Sequence, residues 1–200
     1  MRELGVGIIL KKEKYSPMME KYLELKKDYQ DAIVMYRIGD FYEMFFDDAA
    51  VASKALNLAL TEKNAGVKER VPMCGVPFHA ATGYVEELVK QGHKVVIVEQ
   101  LSDPKAKGLV ERGVVQIVTP GTLMDFKLNE KVNNFIGALG VFDFSYTLAY
   151  ADLSTGEFYC LNLEKKEHLL RNKIESLGIK EIVVEDDSIS IDGVMMSSFK

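Results

Sequence analysis

Two hundred residues allow one large domain or two small ones, and a composition that is 48% apolar and 28% charged predicts a soluble, globular protein. The formal net charge of -5 excludes a strongly basic nucleic-acid binder, so any DNA-binding surface must be local. The two cysteines lie far apart, no secretory signal precedes them and no apolar run reaches membrane-spanning length, which favours a reducing, cytoplasmic location without a membrane partner.

The first part of the chain predicts alternating helices and strands. Ser16 followed by Pro17 is typical of a helix start, and further helices are predicted over 49–56 and 79–91. The β-branched run at 95–98 predicts a strand at the centre of a sheet, covered on both faces. The predicted strands of this part are 32–38, 41–46, 58–61, 71–76, 94–100 and 113–119, with a polar loop at 62–70.

A polar, turn-rich stretch then predicts a domain boundary, so that a tail (1–15), a first domain (16–121), a linker (122–132) and a second domain (133–200) are expected. Because one helix cannot cover both faces of a four-stranded sheet, we expect the second domain to be incomplete. The polar ending at 197–200 predicts no closing element. The second domain's predicted elements are strands 135–142, 146–152 and 157–163, a helix, and a strand at 181–185.

The sequence contains none of the common catalytic motifs, neither a phosphate-binding loop nor a nucleophile elbow nor a zinc-protease motif, and no catalytic residue is predicted. The three histidines do not combine with the cysteines at zinc-ligand spacing, so no metal site is predicted. Four carboxylates could converge as nuclease ligands, although a solvated acidic surface is the commoner arrangement. They are Asp152, Glu185, Asp186 and Asp187.

The segment from Phe41 to Phe46 carries the most informative local pattern. Strand alternation places Phe41, Glu43 and Phe45 on one face and Tyr42, Met44 and Phe46 on the other. An unpaired buried carboxylate is costly, so the end of the strand that carries Glu43 is expected to meet solvent or a ligand. An apolar side chain can open a weakened base step from the minor groove, and a carboxylate can accept a hydrogen bond from a base edge. On spacing alone, a core face beside an ordinary surface face explains the pattern equally well and is more common.

The residues Tyr36-Arg37-Ile38-Gly39-Asp40-Phe41-Tyr42-Glu43-Met44-Phe45 resemble the mismatch-reading segment of the MutS family of mismatch repair proteins. Other segments are similar to family segments in the same order along the chain, and a weaker similarity to the family's connector domain follows them. The segments in the same order are Ser16–Met19 with Tyr22-Leu23, Val71–Ala80, Val98–Gln100, Asp103-Pro104 and Val118–Gly121. The segment similar to the connector domain is Ala151–Phe158.

The resemblance implies an α/β fold, with a mixed-sheet mismatch-recognition domain at 16–121 followed by a ribonuclease H-like connector domain. It implies that Phe41 stacks on a mispaired or unpaired base from the minor groove while Glu43 hydrogen-bonds that base. Lys63 and Arg112 match positions where the family places basic residues against the DNA backbone. Met73 is expected either beside the wedge or in the core.

Three further side chains are assigned to packing. Tyr42 and Met44 are expected in the core, and Cys74 occupies a turn where a small residue is needed, so that it is a packing residue and not a reactive thiol.

The resemblance also implies the partners: mismatched duplex DNA, a MutL-type repair protein, and a second copy in a full-length homodimer. ATP and Mg²⁺ are expected only for the family's ATPase domain, which these residues do not contain, so neither a cofactor nor enzyme activity is predicted for this chain. Two alternatives stay open. The chain could be an interaction module that docks a MutL-type partner through the connector, or its second domain could be a metal-dependent nuclease.

Overall fold

The computed structural model describes residues 14–102, 110–123, 133–185 and 189–198, which form a six-stranded and a five-stranded mixed β-sheet with four α-helices among them. Within these ranges, no helix is long and apolar enough to cross a membrane. The predicted α/β class, with two mixed sheets in succession, is confirmed.

In the first sheet, the order across the sheet is β3-β4-β2-β1-β5-β6, and only β1 and β5 run parallel to each other. The strand predicted at the centre, β5, is next to the edge, because the centre is formed by the β1–β2 hairpin. It is nevertheless covered on both faces, as predicted. The strands are β1 (Ala32–Ile38), β2 (Phe41–Phe45), β3 (Thr61–Lys63), β4 (Val71–Pro77), β5 (Lys94–Gln100) and β6 (Arg112–Val118).

Helix α1 (Pro17–Asp28) contributes to the apolar cluster on one face of this sheet, and α2 (Phe46–Leu56) and α3 (Ala81–Lys90) contribute to the cluster on the other. The predicted start of α1 is confirmed, since the Ser16 hydroxyl accepts a hydrogen bond from the Met19 N–H at 3.4 Å. Helix α2 begins three residues earlier than predicted.

The strand predicted at 58–61 is wrong except for its last residue. Asn57 adopts a left-handed conformation that ends α2, and the Leu58 N–H bonds back to the Ser53 carbonyl at 2.9 Å. The residues that pair with β4 are therefore Thr61–Lys63, two of which had been assigned to the following loop.

The second sheet has the order β11-β10-β7-β8-β9, with β7, β8 and β9 antiparallel and β10 and β11 parallel to β7, which is the arrangement expected of a ribonuclease H-like sheet. Helix α4 (Glu167–Leu177) packs Leu170 and Ile174 into the core on one face. The strands are β7 (Phe135–Val141), β8 (Ser145–Asp152), β9 (Phe158–Glu164), β10 (Glu181–Val184) and β11 (Met195–Ser198).

Strand β11 corrects the expectation that the end of the chain adds no element. Met195–Ser198 pairs with all four residues of β10 in parallel register. A four-residue run that ends in two serines carries no β-branched residue, so its own sequence gives no strand signal.

Candidate nucleic-acid interface

All five residues predicted to contact DNA lie on one face of the first sheet, the face that also carries α1. Glu43 and Met73 share the side of the buried Phe45, and Arg112 lies on the same side as Val114 of β6. The register of β3 on β4 adds Lys63 to this face, opposite the buried Val71.

Phe41 is the first residue of β2 and lies beside the tight turn that joins β1 to β2. It pairs with Ile38 on one side and Pro77 on the other, and 47% of its surface is exposed. Gly39 adopts a φ of +57°, which lets this turn reverse the chain within two residues. A large aromatic ring therefore stands half exposed at the end of a rigid hairpin.

Glu43 is paired within the protein and mostly covered, whereas the sequence predicted that its end of the strand meets solvent or a ligand. Its Oε2 forms an ion pair with the Lys63 ammonium group, and only 14% of its side chain is exposed. Gly75 lies directly opposite in β4, where a Cβ would lie 3.2 Å from the Tyr42 carbonyl oxygen and in ordinary contact with the Glu43 side chain. The Lys63 ammonium also lies 5.6 Å from the centre of the Phe45 ring.

Of the two roles that the sequence left open for Met73, the structure supports the one in the core; the residue of β4 that pairs with Phe41 is Pro77, four positions from Met73. It is partly buried against the cluster under α1, and it pairs with Phe45. Its carbonyl accepts a hydrogen bond from the Thr61 hydroxyl at 3.0 Å, and its sulfur lies 3.7 Å from the same hydroxyl.

Arg112 is held by hydrogen bonds to β1 and to the segment just before β6. Its Nε donates to the Arg37 carbonyl at 2.7 Å, and Nη1 donates to the Val110 carbonyl at 3.2 Å. The guanidinium lies 5.4 Å from the centre of the Tyr36 ring, which connects it to the centre of the sheet. Its orientation is thus fixed before any ligand binds.

Arg37, which the sequence did not single out, supports the β1–β2 turn from the opposite face. Its guanidinium lies 3.8 Å from the centre of the Phe78 ring, and its Nε donates to the Gly39 carbonyl at 2.5 Å. The Tyr42 hydroxyl donates to Glu99 nearby, and burial together with this carboxylate raises the pKa of Tyr42 to about 12. An arginine two residues before the Gly39-Asp40 turn was the available signal.

The core predictions for β2 are confirmed in part. Tyr42 and Met44 are buried on the face that carries α2 and α3. Phe46 was predicted on that face, but it packs on the α1 side, because its φ of +53° ends the strand alternation.

The two cysteines are free. Cys74 is buried, and burial raises the pKa of its thiol to about 11, as expected for a packing residue. Cys160 is exposed on β9.

The acidic residues considered as nuclease ligands do not converge in the described part of the chain. Asp152 pairs with Phe135 at the start of β7, whereas Glu185 follows Val184, which pairs with Leu139 near the other end of β7. Asp186 and Asp187 lie outside the described residues. Among the residues described, no three His, Cys, Asp or Glu side chains are placed to hold a metal ion.

Two family models match this chain, one over each of the two sheets. Residues 16–127 match the model for MutS domain I, and residues 134–195 match the model for MutS domain II. The chain belongs to the MutS family. Its two sheets are domains I and II of that family, the recognition and connector domains.

Curated relatives agree with this assignment. DNA mismatch repair protein MutS of Geobacillus thermodenitrificans is 53% identical over 177 residues, or 87% of this chain and 19% of its own length. The proteins of the same name from Bacillus licheniformis and Bacillus subtilis are 48% and 49% identical, over 91% and 85% of this chain. The chain spans about a fifth of the length of these relatives and covers domains I and II without the ATPase domain.

Proposed function

We propose that this chain recognises mispaired or unpaired bases in duplex DNA for mismatch repair, with Phe41 as a wedge and Glu43 as a hydrogen-bond acceptor at the minor groove. The observation that carries the proposal is the half-exposed Phe41 ring at a rigid turn, on the same face as the cations of Lys63 and Arg112.

The wedge would select mismatches through the cost of opening the base step. Inserting an aromatic ring between bases costs a few kcal/mol of stacking and pairing energy, and this cost is smallest where pairing is already weakened. Because the β1–β2 turn is supported by the Arg37 contacts, Phe41 needs little reorganisation to enter the duplex.

Glu43 would reach a base only after a change of partners. In the free chain its carboxylate is covered by Lys63. A DNA phosphate that takes the Lys63 ammonium would release the Glu43 carboxylate, which could then accept a hydrogen bond from a base edge. Lys63 and Arg112 would position the duplex without reading its sequence, and Met73 would contact the sugar edges from the same face of the sheet as Phe41.

The test is fluorescence anisotropy at low salt, with a single-base-loop or G·T duplex and the matched duplex, for the native chain and Phe41→Ala. We expect the native chain to prefer the mismatch and Phe41→Ala to lose that preference. Phe144→Ala is the matched control, because Phe144 is 88% exposed but lies in the turn between β7 and β8, outside the first sheet. If Phe41→Ala keeps the preference, or the native chain has none, the proposal for this chain fails.

A second candidate function is the docking of a MutL-type repair protein through the connector. It is favoured by the exposed phenylalanines Phe142 and Phe144 at the turn between β7 and β8, since exposed aromatic residues are enriched in protein interfaces. Titration calorimetry of a purified MutL-type protein against the native chain and the double variant Phe142→Ser, Phe144→Ser tests it. Equal affinities, or no binding to the native chain, contradict it.

For the full-length protein we propose the family's homodimer, and ATP with Mg²⁺ bound outside domains I and II. A reducing, cytoplasmic location is supported by the two free cysteines.

A further inference from the structure

The turn that follows β6, from Thr119 to Thr122, is closed by its own hydrogen bonds and lies outside the candidate nucleic-acid interface. Thr119 is buried, its N–H donates to the Thr122 hydroxyl at 2.9 Å, and the Thr122 N–H returns to the Thr119 carbonyl at 3.1 Å. Pro120 and Gly121 form the outside of this turn, which faces the second sheet.

Glu181, at the start of β10, binds this turn with a buried carboxylate. Only 3% of the residue is exposed; its Oε2 accepts the Gly121 N–H at 3.0 Å, and its Oε1 accepts the Ser197 hydroxyl of β11 at 2.7 Å. It is not a member of any ion pair formed within the described ranges. Since burying a polar side chain without hydrogen-bond partners is costly, these two hydrogen bonds stabilise the Glu181 side chain there.

Asn134, just before β7, holds the same turn from a second direction. Its carboxamide donates to the carbonyls of Pro120 at 2.9 Å and Leu123 at 3.0 Å. Its own backbone N–H donates to the buried Asp152 carboxylate at 3.2 Å, which ties it to the end of β8. Both N–H groups of the Asn134 side chain therefore donate hydrogen bonds across the boundary between the two sheets.

Gly121 permits an approach that a larger residue would prevent. A Cβ at this position would lie 2.9 Å from the Cβ of Glu181 and 3.0 Å from the Cβ of Ile136. Those atoms are fixed to the backbones of β10 and β7, so they cannot yield unless a strand moves.

We propose that Gly121, Asn134 and Glu181 form a rigid joint that fixes the orientation of the recognition sheet relative to the connector sheet. Asn134, just before β7, and Glu181, at the start of β10, both form hydrogen bonds with the turn, and Gly121 allows these strands to pack closely against it. Because the hydrogen bonds come from two directions, they oppose both rotation and separation of the two sheets. The position of the Phe41 turn is then set from the connector through this joint. The inference does not rest on the proposed DNA-binding function.

The experiment measures the distance distribution between two spin labels by double electron–electron resonance. One label is placed on Cys160 of β9 and the other on Lys54→Cys of α2, both of which are exposed sites. Cys74 is left unlabelled because burial raises the pKa of its thiol to about 11 and keeps thiolate scarce near neutral pH. We expect one narrow distribution for the native chain.

Asn134→Asp turns the donor into an acceptor that faces two carbonyl oxygens, so we expect the distribution to broaden by about twofold. Asn64→Asp is the matched control, since its Oδ1 accepts the Gly66 N–H at 2.9 Å and an aspartate would do the same. Glu181→Ala should broaden the distribution, whereas Glu181→Gln should keep it narrow, because a carboxamide can accept from Gly121 and donate to the Ser197 hydroxyl.

Far-UV circular dichroism and hydrogen exchange of both sheets distinguish a loosened joint from the unfolding of either sheet. A broad native distribution, or folded Asn134→Asp and Glu181→Ala variants as narrow as the native chain, would overturn the proposal. If both variants unfold, the folded Gly121→Ala variant decides by the same criterion, because its added methyl group separates the turn from both strands.

Discussion

At the scale of single residues, the charged groups of the candidate interface already have partners within the protein. Glu43 and Lys63 neutralise each other on a partly covered surface, and Arg112 is bound to backbone carbonyls. The free chain therefore presents an aromatic ring with paired charges on the same face, and the proposed DNA binding would have to exchange these contacts for contacts with phosphates and bases.

The first prediction concerns this ion pair in the free chain. We expect Lys63→Met and Glu43→Gln to show a coupling free energy of about 1 kcal/mol in urea unfolding, because the pair is mostly covered but open on one side. The double variant should be more stable than the sum of the single effects implies, since no charge is then left alone. Additive effects would contradict the pairing.

The second prediction concerns Asp48, a buried carboxylate at the start of α2. It accepts hydrogen bonds from the Tyr22 hydroxyl at 3.1 Å, the Lys26 ammonium at 2.8 Å and the Val34 N–H at 3.0 Å, and so joins α1, α2 and β1. The buried Tyr22 has its pKa raised far above the usual value, first by burial and then by Asp48.

Asp48→Ala should lower the free energy of unfolding by about 3–5 kcal/mol, because it leaves a lysine, a hydroxyl and an N–H without their common acceptor. The measurement is the shift in urea midpoint at constant slope. Asp31→Ala is the control: this exposed aspartate forms an ion pair with Lys94, and its loss should cost less than about 1 kcal/mol. Similar losses for the two variants would show that Asp48 is not an organising residue.

At the scale of elements, local patterns predicted every strand of the first sheet except β3, but they did not predict the side of every residue. Alternation correctly separated Tyr42 and Met44 from Phe45. It failed at Phe46, where a left-handed conformation costs roughly 1–2 kcal/mol and is offset by ring contacts with Tyr15 and Tyr22. Tyr22 lies in α1 and Tyr15 just before it, so no pattern within β2 could predict these contacts.

Non-local pairing explains the remaining differences. Strand β11 forms because β10 offers a free edge, and β3 begins at Thr61 because β4 fixes the register. The sequence likewise placed Glu43 and Lys63 among the DNA-contacting residues but could not show that they pair, since 20 residues separate them. Resemblance to a family supplied the candidate residues, and only the fold showed that they share a face.

The third prediction concerns the turn after β8. Asp152 accepts hydrogen bonds from the Ser154 hydroxyl at 2.6 Å and from backbone N–H groups of Ser154 and Asn134, and the Ser154 hydroxyl is the main cause of its lowered pKa. A carboxyl group whose pKa is lower in the folded state stabilises the fold above its unfolded pKa of about 3.9, and this contribution is lost as the pH falls towards the folded pKa.

Asp152→Asn should therefore be less stable than the native chain at neutral pH, and the difference should shrink as the pH falls below about 4. Urea unfolding at a series of pH values measures this. Glu157→Gln, at an exposed carboxylate near the same turn, is the control and should show no such convergence. A difference that is independent of pH would mean that the ionised form of Asp152 contributes nothing.

At the scale of the whole molecule, the net charge of -5 opposes DNA while one face of the recognition sheet carries Lys63 and Arg112. Repulsion from the rest of the chain weakens binding at every separation shorter than the Debye length, which is about 10 Å at 0.1 M salt. In the proposed function, the selectivity for mismatches therefore comes from the Phe41 wedge and not from the overall electrostatic field.

The fourth prediction follows from this balance. If Lys63 and Arg112 each neutralise one phosphate, the logarithm of the observed association constant should fall with the logarithm of salt concentration at a slope of about -2, and Lys63→Ala should reduce the slope to about -1. Lys94→Ala, which removes a cation paired with Asp31, should leave the slope unchanged. A slope that Lys63→Ala does not alter would place Lys63 away from the DNA backbone, and the exchange that frees Glu43 would then need another cause. A reduced slope with an intact preference for the mismatch would separate the two functions of the surface, with Lys63 holding the backbone and Phe41 reading the base step.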